Sequence, residues 1–490
     1  MISDIRSHFL STYWATHQPC SIAIRWDRAD SLLFANLPTQ LTWQQFHQLI
    51  SELALWLEPK LADKQLIAYC GQNRLAALLC YCTAIALGKY ILILNPALTN
   101  TQKQNIVTQN QIKQLLTDDD FAKFTAILTA HSSFKTTLPK LDYQVAATFT
   151  LTSGSSGSPK AVVHSIQNHL DNAKGVCQLM AFTAQNSWLL SLPLYHVSGQ
   201  GIVWRWLLQG ATLQITESKT AFWQQLATVS HASLVPTQLQ RYLHYISSVD
   251  RPPQDFAQQH ILLGGMCIPA TLIRQAQQYG IQIYIGYGMT EMASTITATS
   301  ANKQEITETD NVGKALQGRK IQIVEEEIWV KGAGLALGYW QNGQIISLTN
   351  RQGWLQTKDK GYWDNAKNLV ITGRKDNLFI SGGENIQPEM VEKVLFSSNL
   401  LKNVWILPIP DPEFGARPIA IVEFHTEFNA QAVNNLQNFA KSKLEKFKLP
   451  LYYLPFNSQD WQENGVKISR QQLTLYAEKW IEKTQRERDV

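Results

Sequence analysis

The sequence predicts an α/β fold: a large N-terminal α/β domain with a β-rich end, followed by a small C-terminal α+β domain. Short apolar runs alternate with helical patterns as far as roughly residue 310, which is how a strand–helix–strand chain reads. Beyond that the texture changes to short β-rich pieces broken by glycine, and a further α+β segment runs from Asn385 to the end. At 490 residues, 45% hydrophobic and 17% charged, the chain exceeds one core of ordinary size and is not fibrous or disordered.

The elements follow in order. Trp43 to Leu57 carries a helical pattern, and the strand-like run Gln65 to Cys70 comes next. Leu75 to Gly88 is an apolar core helix, too short to cross a membrane, and it leads into the strand Tyr90 to Leu94. Strand runs recur at Ala146 to Leu151, His231 to Val235, Ile261 to Leu263 and Ile281 to Ile285. The β-rich part offers Lys320 to Val324, Glu327 to Lys331, Gly353 to Thr357 and Leu369 to Thr372. The polar stretch Gly373 to Asn377 is the candidate boundary, giving domains 1–375 and 376–490.

A net charge of +5 without a basic stripe argues against a nucleic-acid binder and fits small anionic ligands. Six cysteines show no metal-ligand spacing and read as buried reduced thiols. The first residues lack a basic-then-apolar leader pattern, and the sum favours the cytoplasm.

The most specific motif is Thr152-Ser153-Gly154-Ser155-Ser156-Gly157-Ser158-Pro159-Lys160, after the strand ending at Leu151. Small residues admit a polyphosphate close to the backbone, hydroxyls and N–H groups donate to its oxygens, and Lys160 adds positive charge. It is not a Walker A loop, because Pro159 stands where that loop has glycine. A flexible linker would not carry the flanking strand and the Pro-Lys ending.

This loop resembles the phosphate loop of the acyl-adenylate-forming superfamily, and further segments resemble that family in order. Tyr287-Gly288-Met289-Thr290-Glu291 is similar to its Y-G-x-T-E motif, which implies that Thr290 meets the α-phosphate and Glu291 holds Mg²⁺. Gly264-Gly265-Met266 resembles the segment along the adenine, and Asp359 the ribose carboxylate, with Lys358 where the family usually has glycine. The resemblance further implies Arg374 at ribose or phosphate, Asp376 as hinge and Gly382-Gly383 at the CoA channel. Lys467, in Asn464-Gly465-Val466-Lys467, matches the catalytic lysine, with one residue more than the family's Thr-Gly-Lys. The implied fold is acyl-CoA synthetase-like, with a mobile C-terminal domain. Magnesium with ATP, and CoA as co-substrate, are the implied cofactors.

For the acid, the informative segment is Ser191 to Trp206. His196 stands at the family's gate between acyl pocket and thiol channel. Arg205 is a permanent cation between two tryptophans in an apolar helix, and a guanidinium can fork onto a carboxylate. With Ser198, Ser294 and Thr295 as hydroxyl donors, it suits an aromatic dicarboxylic acid of which only one carboxylate is activated. His196 to Trp206 and the ending Lys467 to Gln471 resemble o-succinylbenzoate–CoA ligases of menaquinone biosynthesis. The other reading of Arg205 is a snorkelling residue or an internal salt bridge with a glutamate. That reading leaves open an aryl- or medium-chain acid–CoA ligase, and a non-catalytic adenylate-binding regulator remains the alternative from another class.

Overall fold

The computed structural model describes residues 7–27, 33–61, 66–128, 138–152, 159–249, 259–264, 268, 270–300, 311–458 and 470–486. They fall into two compact units, Met1–Ile321 with Val330–Leu355 and Gln322–Trp329 with Gln356–Val490.

Two large sheets build the first unit. In the nine-stranded sheet, Ile22–Trp26, Thr212–Ile215, Ser187–Leu189, His231–Leu234, His260–Leu263 and Gln282–Met289 run parallel. Antiparallel strands flank them, Gln40–Thr42 at one end and Ser294–Ala298 with Lys314–Ala315 at the other. The seven-stranded sheet has Tyr90–Ile93, Leu66–Tyr69 and Gln114–Leu116 in parallel and is extended by Ala146–Thr152, Lys160–Ser165, Gly338–Gln341 and Gln344–Ile346. The expected helix at Trp43–Leu57 is present, opened by Thr42 in a reciprocal capping box with Gln45. The run from Leu75 became the helix Arg74–Ala86, buried almost all round.

Two elements differ from the sequence expectation. The strand expected to stop at Ile285 runs on to Met289, because the antiparallel strand Ser294–Ala298 pairs with Gly286 to Met289. The strand expected at Gly353–Thr357 instead spans Leu355–Trp363, paired antiparallel with Leu369–Arg374. Pairing with the following strand decides such ends, and local hydropathy does not show it. Of the cysteines, Cys80, Cys82 and Cys177 are buried free thiols, whereas Cys20 is exposed and Cys70 half-buried; Cys267 lies outside the described residues.

The second unit carries the sheet of Leu401–Asp411, Gly415–Phe424 and Tyr453–Pro455. A core of Ile386, Val391, Leu395, Ile406 and Leu436 joins it to its helices.

Buried imidazoles set a pH limit on the fold. His164 and His169 are wholly enclosed, and His169 stacks on Trp204 with ring centroids 5.1 Å apart. Desolvation pulls His164 and His231 down to about 4 and His169 well below its ordinary value. A folded value below the unfolded one means that the unfolded chain binds more protons in that window. Stability is therefore full above about pH 6.5 and is lost as the pH falls towards 4. Thermal unfolding should show the midpoint already falling between pH 7 and 5.5, above the carboxylate range. A flat profile there would contradict this account.

Candidate active site

The loop expected to hold phosphates joins antiparallel strands. Thr152 pairs with Lys160 across Ala146–Thr152 and Lys160–Ser165, so the loop leads into a strand rather than a helix. Any charge it offers a phosphate comes from N–H groups, hydroxyls and Lys160 rather than from a helix dipole. Ser153, Gly154, Ser155, Ser156 and Gly157 lie outside the described residues. Lys160 is exposed, its Nζ 5.4 Å from the Tyr339 ring centroid.

Thr290 and Glu291 open a single 3-10 turn, Thr290–Met292, at the carboxyl end of the strand Gln282–Met289. That is where ligands sit in open α/β sheets, outside the carboxyl ends of parallel strands. Tyr287 and Gly288 lie on that strand. A Cβ at Gly288 would come within 1.9 Å of the Ser294 carbonyl oxygen, so only glycine lets the chain double back here. Ala293 and Ser294 then take φ of +53° and +113°, a left-handed turn with the half-buried Thr290 and Glu291 on one limb and the buried Ser294 and Thr295 on the other. Asn172 spans this turn, its amide donating to the carbonyls of Met292 (2.8 Å) and Thr295 (3.0 Å). Glu291 accepts from the Tyr339 hydroxyl at 2.8 Å. Gly264 ends the neighbouring strand, its N–H on the Leu234 carbonyl; Gly265 and Met266 lie outside the described residues.

Arg205 belongs to the helix Val197–Gln209, which is buried nearly throughout. Its neighbours fix its direction. Trp204 donates to the Tyr81 hydroxyl at 2.8 Å, and Trp206 donates to the Ala23 carbonyl and stacks on Trp43. Gly210, left-handed at φ +64°, ends the helix, where a Cβ would strike the Trp14 ring at 2.6 Å. Arg205 is only 1% exposed. Its Nη1 donates to Ser233 at 3.2 Å, its Nη2 lies 3.5 Å from the Thr295 hydroxyl, and Trp188 lies 5.0 Å from the guanidinium. No described carboxylate pairs with it, and its Nε has no partner. Both readings of a structural arginine fail among the described residues: it neither snorkels nor meets a glutamate. Desolvation pulls its pKa down to about 10, a cation held where water cannot solvate it.

The expected acid site therefore comes together in part. Thr295 meets Arg205, Ser294 stands beside it with the two hydroxyls 3.5 Å apart, and a Cβ at Gly201 would lie 3.2 Å from Arg205 Nη2 and 3.4 Å from Ser294 Cβ. Ser198 is half-buried on the same helix, two turns before Arg205 and on the same face. His196 caps that helix, its carbonyl accepting from the N–H groups of Gly199 and Gln200. Ser233, Asn172 and Tyr339 had no local signal, since each is tied to the site through residues 28 or more positions away.

In the second unit Asp359 is 7% exposed and pairs with Arg374 at 2.6 Å, across the ladder in which the two stand opposite. Lys358 adopts φ +63°, so the position where the family resemblance leads one to expect glycine is indeed left-handed. The lysine keeps that conformation at a cost of about 1 kcal/mol, and its Nζ reaches Asp376 at 3.2 Å. Asp376 lies in the 3-10 turn Lys375–Asn377. Gly382 and Gly383, both left-handed, make the turn between Phe379–Ser381 and Glu384–Ile386. Lys467 lies outside the described residues.

A family model described as AMP-binding enzyme matches residues 13–340, and the chain belongs to that family. It is 47% identical to the 2-succinylbenzoate–CoA ligase of Haemophilus influenzae, over 88% of this chain and 92% of that one. With the 2-succinylbenzoate–CoA ligase of Escherichia coli it shares 38% identity, covering 91% and 94%. Among solved structures it matches an arginine-to-lysine variant of E. coli MenE with bound OSB-AMS. That match has a TM-score of 0.82, 34% identity, and coverage of 96% of this chain and 98% of the other.

Proposed function

We propose that the chain is a 2-succinylbenzoate–CoA ligase, converting the acid, ATP and CoA to 2-succinylbenzoyl-CoA, AMP and pyrophosphate through an acyl-adenylate, in menaquinone biosynthesis. The observation that carries the choice of acid is Arg205, an enclosed cation without a described carboxylate partner. An isolated buried charge is costly unless something of opposite sign meets it. A dicarboxylate supplies that anion and keeps its second carboxylate for chemistry. A fatty or simple aryl acid leaves Arg205 unanswered.

In the first half-reaction the reacting carboxylate attacks the α-phosphorus, beside Thr290 at the open end of the sheet. Lys160 and the loop Ser153 to Gly157 receive the outer phosphates, while Tyr287, Gly264, Gly265 and Met266 flank the base. Asp359 and Arg374 take the ribose. Lys467 bridges carboxylate and α-phosphate, neutralising the charge that spreads in the transition state.

Among the described residues no three His, Cys, Asp or Glu side chains cluster as a metal cage. One carboxylate, Glu291, beside a phosphate site suits Mg²⁺, which takes few protein ligands and fills its shell with phosphate oxygens and water. When bound with ATP it offsets phosphate charge.

For the second half-reaction, residues from Asp376 onward turn about that residue and bring Gly382-Gly383 to the thiol channel, with His196 at the gate. The Asp376→Pro variant should release pyrophosphate normally and lose thioester output about tenfold or more, since a fixed φ hinders rotation. Undiminished thioester output would remove Asp376 as pivot. The reaction is placed in the cytoplasm, where the buried thiols Cys80, Cys82 and Cys177 stay reduced.

Pyrophosphate release with 2-succinylbenzoate, benzoate, coumarate and octanoate tests the whole reading. Release with the dicarboxylate alone is the expected result. Equal release with octanoate would overturn the choice of acid.

A further inference from the structure

Glu291 does not stand alone at the end of its strand. Its Oε1 accepts a hydrogen bond at 2.8 Å from the hydroxyl of Tyr339, a residue 48 positions later in the chain. The main chain is tied at the same place, because the Ala336 N–H donates to the Glu291 carbonyl at 2.8 Å. Tyr339 is itself held firmly. Gly338–Gln341 pairs antiparallel with the strand that begins at Lys160, with Tyr339 opposite Val162 and Trp340 opposite Ala161. On the other side it pairs with Gln344–Ile346. Tyr339 thus lies diagonally across from Lys160 on one face of the ladder, within the reach expected of such a pair. The Lys160 ammonium is 5.4 Å from the ring.

We infer that Tyr339 is a positioning residue for the adenylation step, fixing the Glu291 carboxylate so that its other oxygen, Oε2, is presented to the magnesium of Mg·ATP. The inference rests on the reading of Glu291 as the carboxylate on the metal side. A phenol suits this task. It is neutral and donates one proton, so it orients a carboxylate without cancelling its charge. Its hydroxyl is placed by the strand pairing of Tyr339 with Val162, so the donor is held in direction as well as in reach. Magnesium tolerates little departure from octahedral geometry, so a carboxylate free to rotate about its terminal torsions would hold it less well. Outer-shell partners of metal ligands are worth about 10–100-fold in metal affinity.

Tyr339→Phe removes one oxygen and leaves the ring, the strand and the seat of Lys160 in place. The measurements, on the full chain, are calorimetric ATP binding at increasing Mg²⁺, ATP binding in EDTA, and the rise in Tm produced by Mg·ATP. For Tyr339→Phe the half-saturating Mg²⁺ should rise about tenfold or more, and the Mg·ATP-induced rise in Tm should shrink. ATP binding in EDTA and the Tm of the unliganded protein should stay at wild-type values. Glu291→Gln should shift the Mg²⁺ dependence as well, and adding Tyr339→Phe to it should change nothing further, because the hydroxyl acts through that carboxylate.

A wild-type Mg²⁺ dependence in Tyr339→Phe, beside a shifted one in Glu291→Gln, would overturn the role of Tyr339 and leave Glu291 in place. An additional shift in the double variant would overturn it too, by showing another route. No shift in Glu291→Gln would remove the reading of Glu291, and the inference with it.

Discussion

Arg205→Met should raise the KM for 2-succinylbenzoate by about 30-fold or more while leaving the KM for ATP near its wild-type value. The lower bound corresponds to about 2 kcal/mol, the low end for removing one partner of a buried charge pair. Methionine is shorter than arginine but unbranched and adaptable, so it fills part of the space between Trp188 and Ser233 without a charge. The stability effect separates the two meanings of this arginine. In the free protein it is an enclosed cation that donates to hydroxyls and lies against a ring, with no described carboxylate paired to it. Replacing such a charge by an apolar side chain removes a desolvation penalty, so Tm should hold or rise even as the acid is lost. An arginine kept for the fold would show the reverse, a lower Tm with all substrates weakened alike. The decisive data are the two KM values read beside the two melting curves.

Lys467→Ala should lower adenylate formation by about 100- to 1000-fold, the usual effect of deleting one group that meets charge developing in a transition state. Thioester formation from presynthesised acyl-adenylate should be spared, because the α-phosphate transfer is then already complete. Measuring pyrophosphate release and thioester output separately gives the answer. Equal loss in both halves would mean that the lysine supports the fold or the CoA site, and the adenylation role would fall.

Much of the proposed site was legible because it is carried by local runs. Thr152 to Lys160, Tyr287 to Glu291 and the His196–Arg205 helix are each continuous in sequence. Their chemistry follows from residue type: small residues beside a phosphate, a carboxylate for a hard cation, a guanidinium in an apolar helix. Lys358 was visible in the same way, as a side chain where glycine was expected, and its φ of +63° explains the expectation.

What the sequence by itself determined, then, is the alternation of strands and helices, the order of the motifs and the oddity of one charged residue among tryptophans. Only the tertiary structure decided whether that charge was answered. Burial is a sum over distant neighbours, and the absence of a described carboxylate beside Arg205 cannot be read from the helix that bears it. The same holds for the strand that continues to Met289, for the amide of Asn172 across the Ala293–Ser294 turn, and for the phenol of Tyr339 on Glu291. Each depends on a partner supplied by another strand or helix, and chain folding brings such partners within 3 Å without leaving a periodicity or spacing in the sequence.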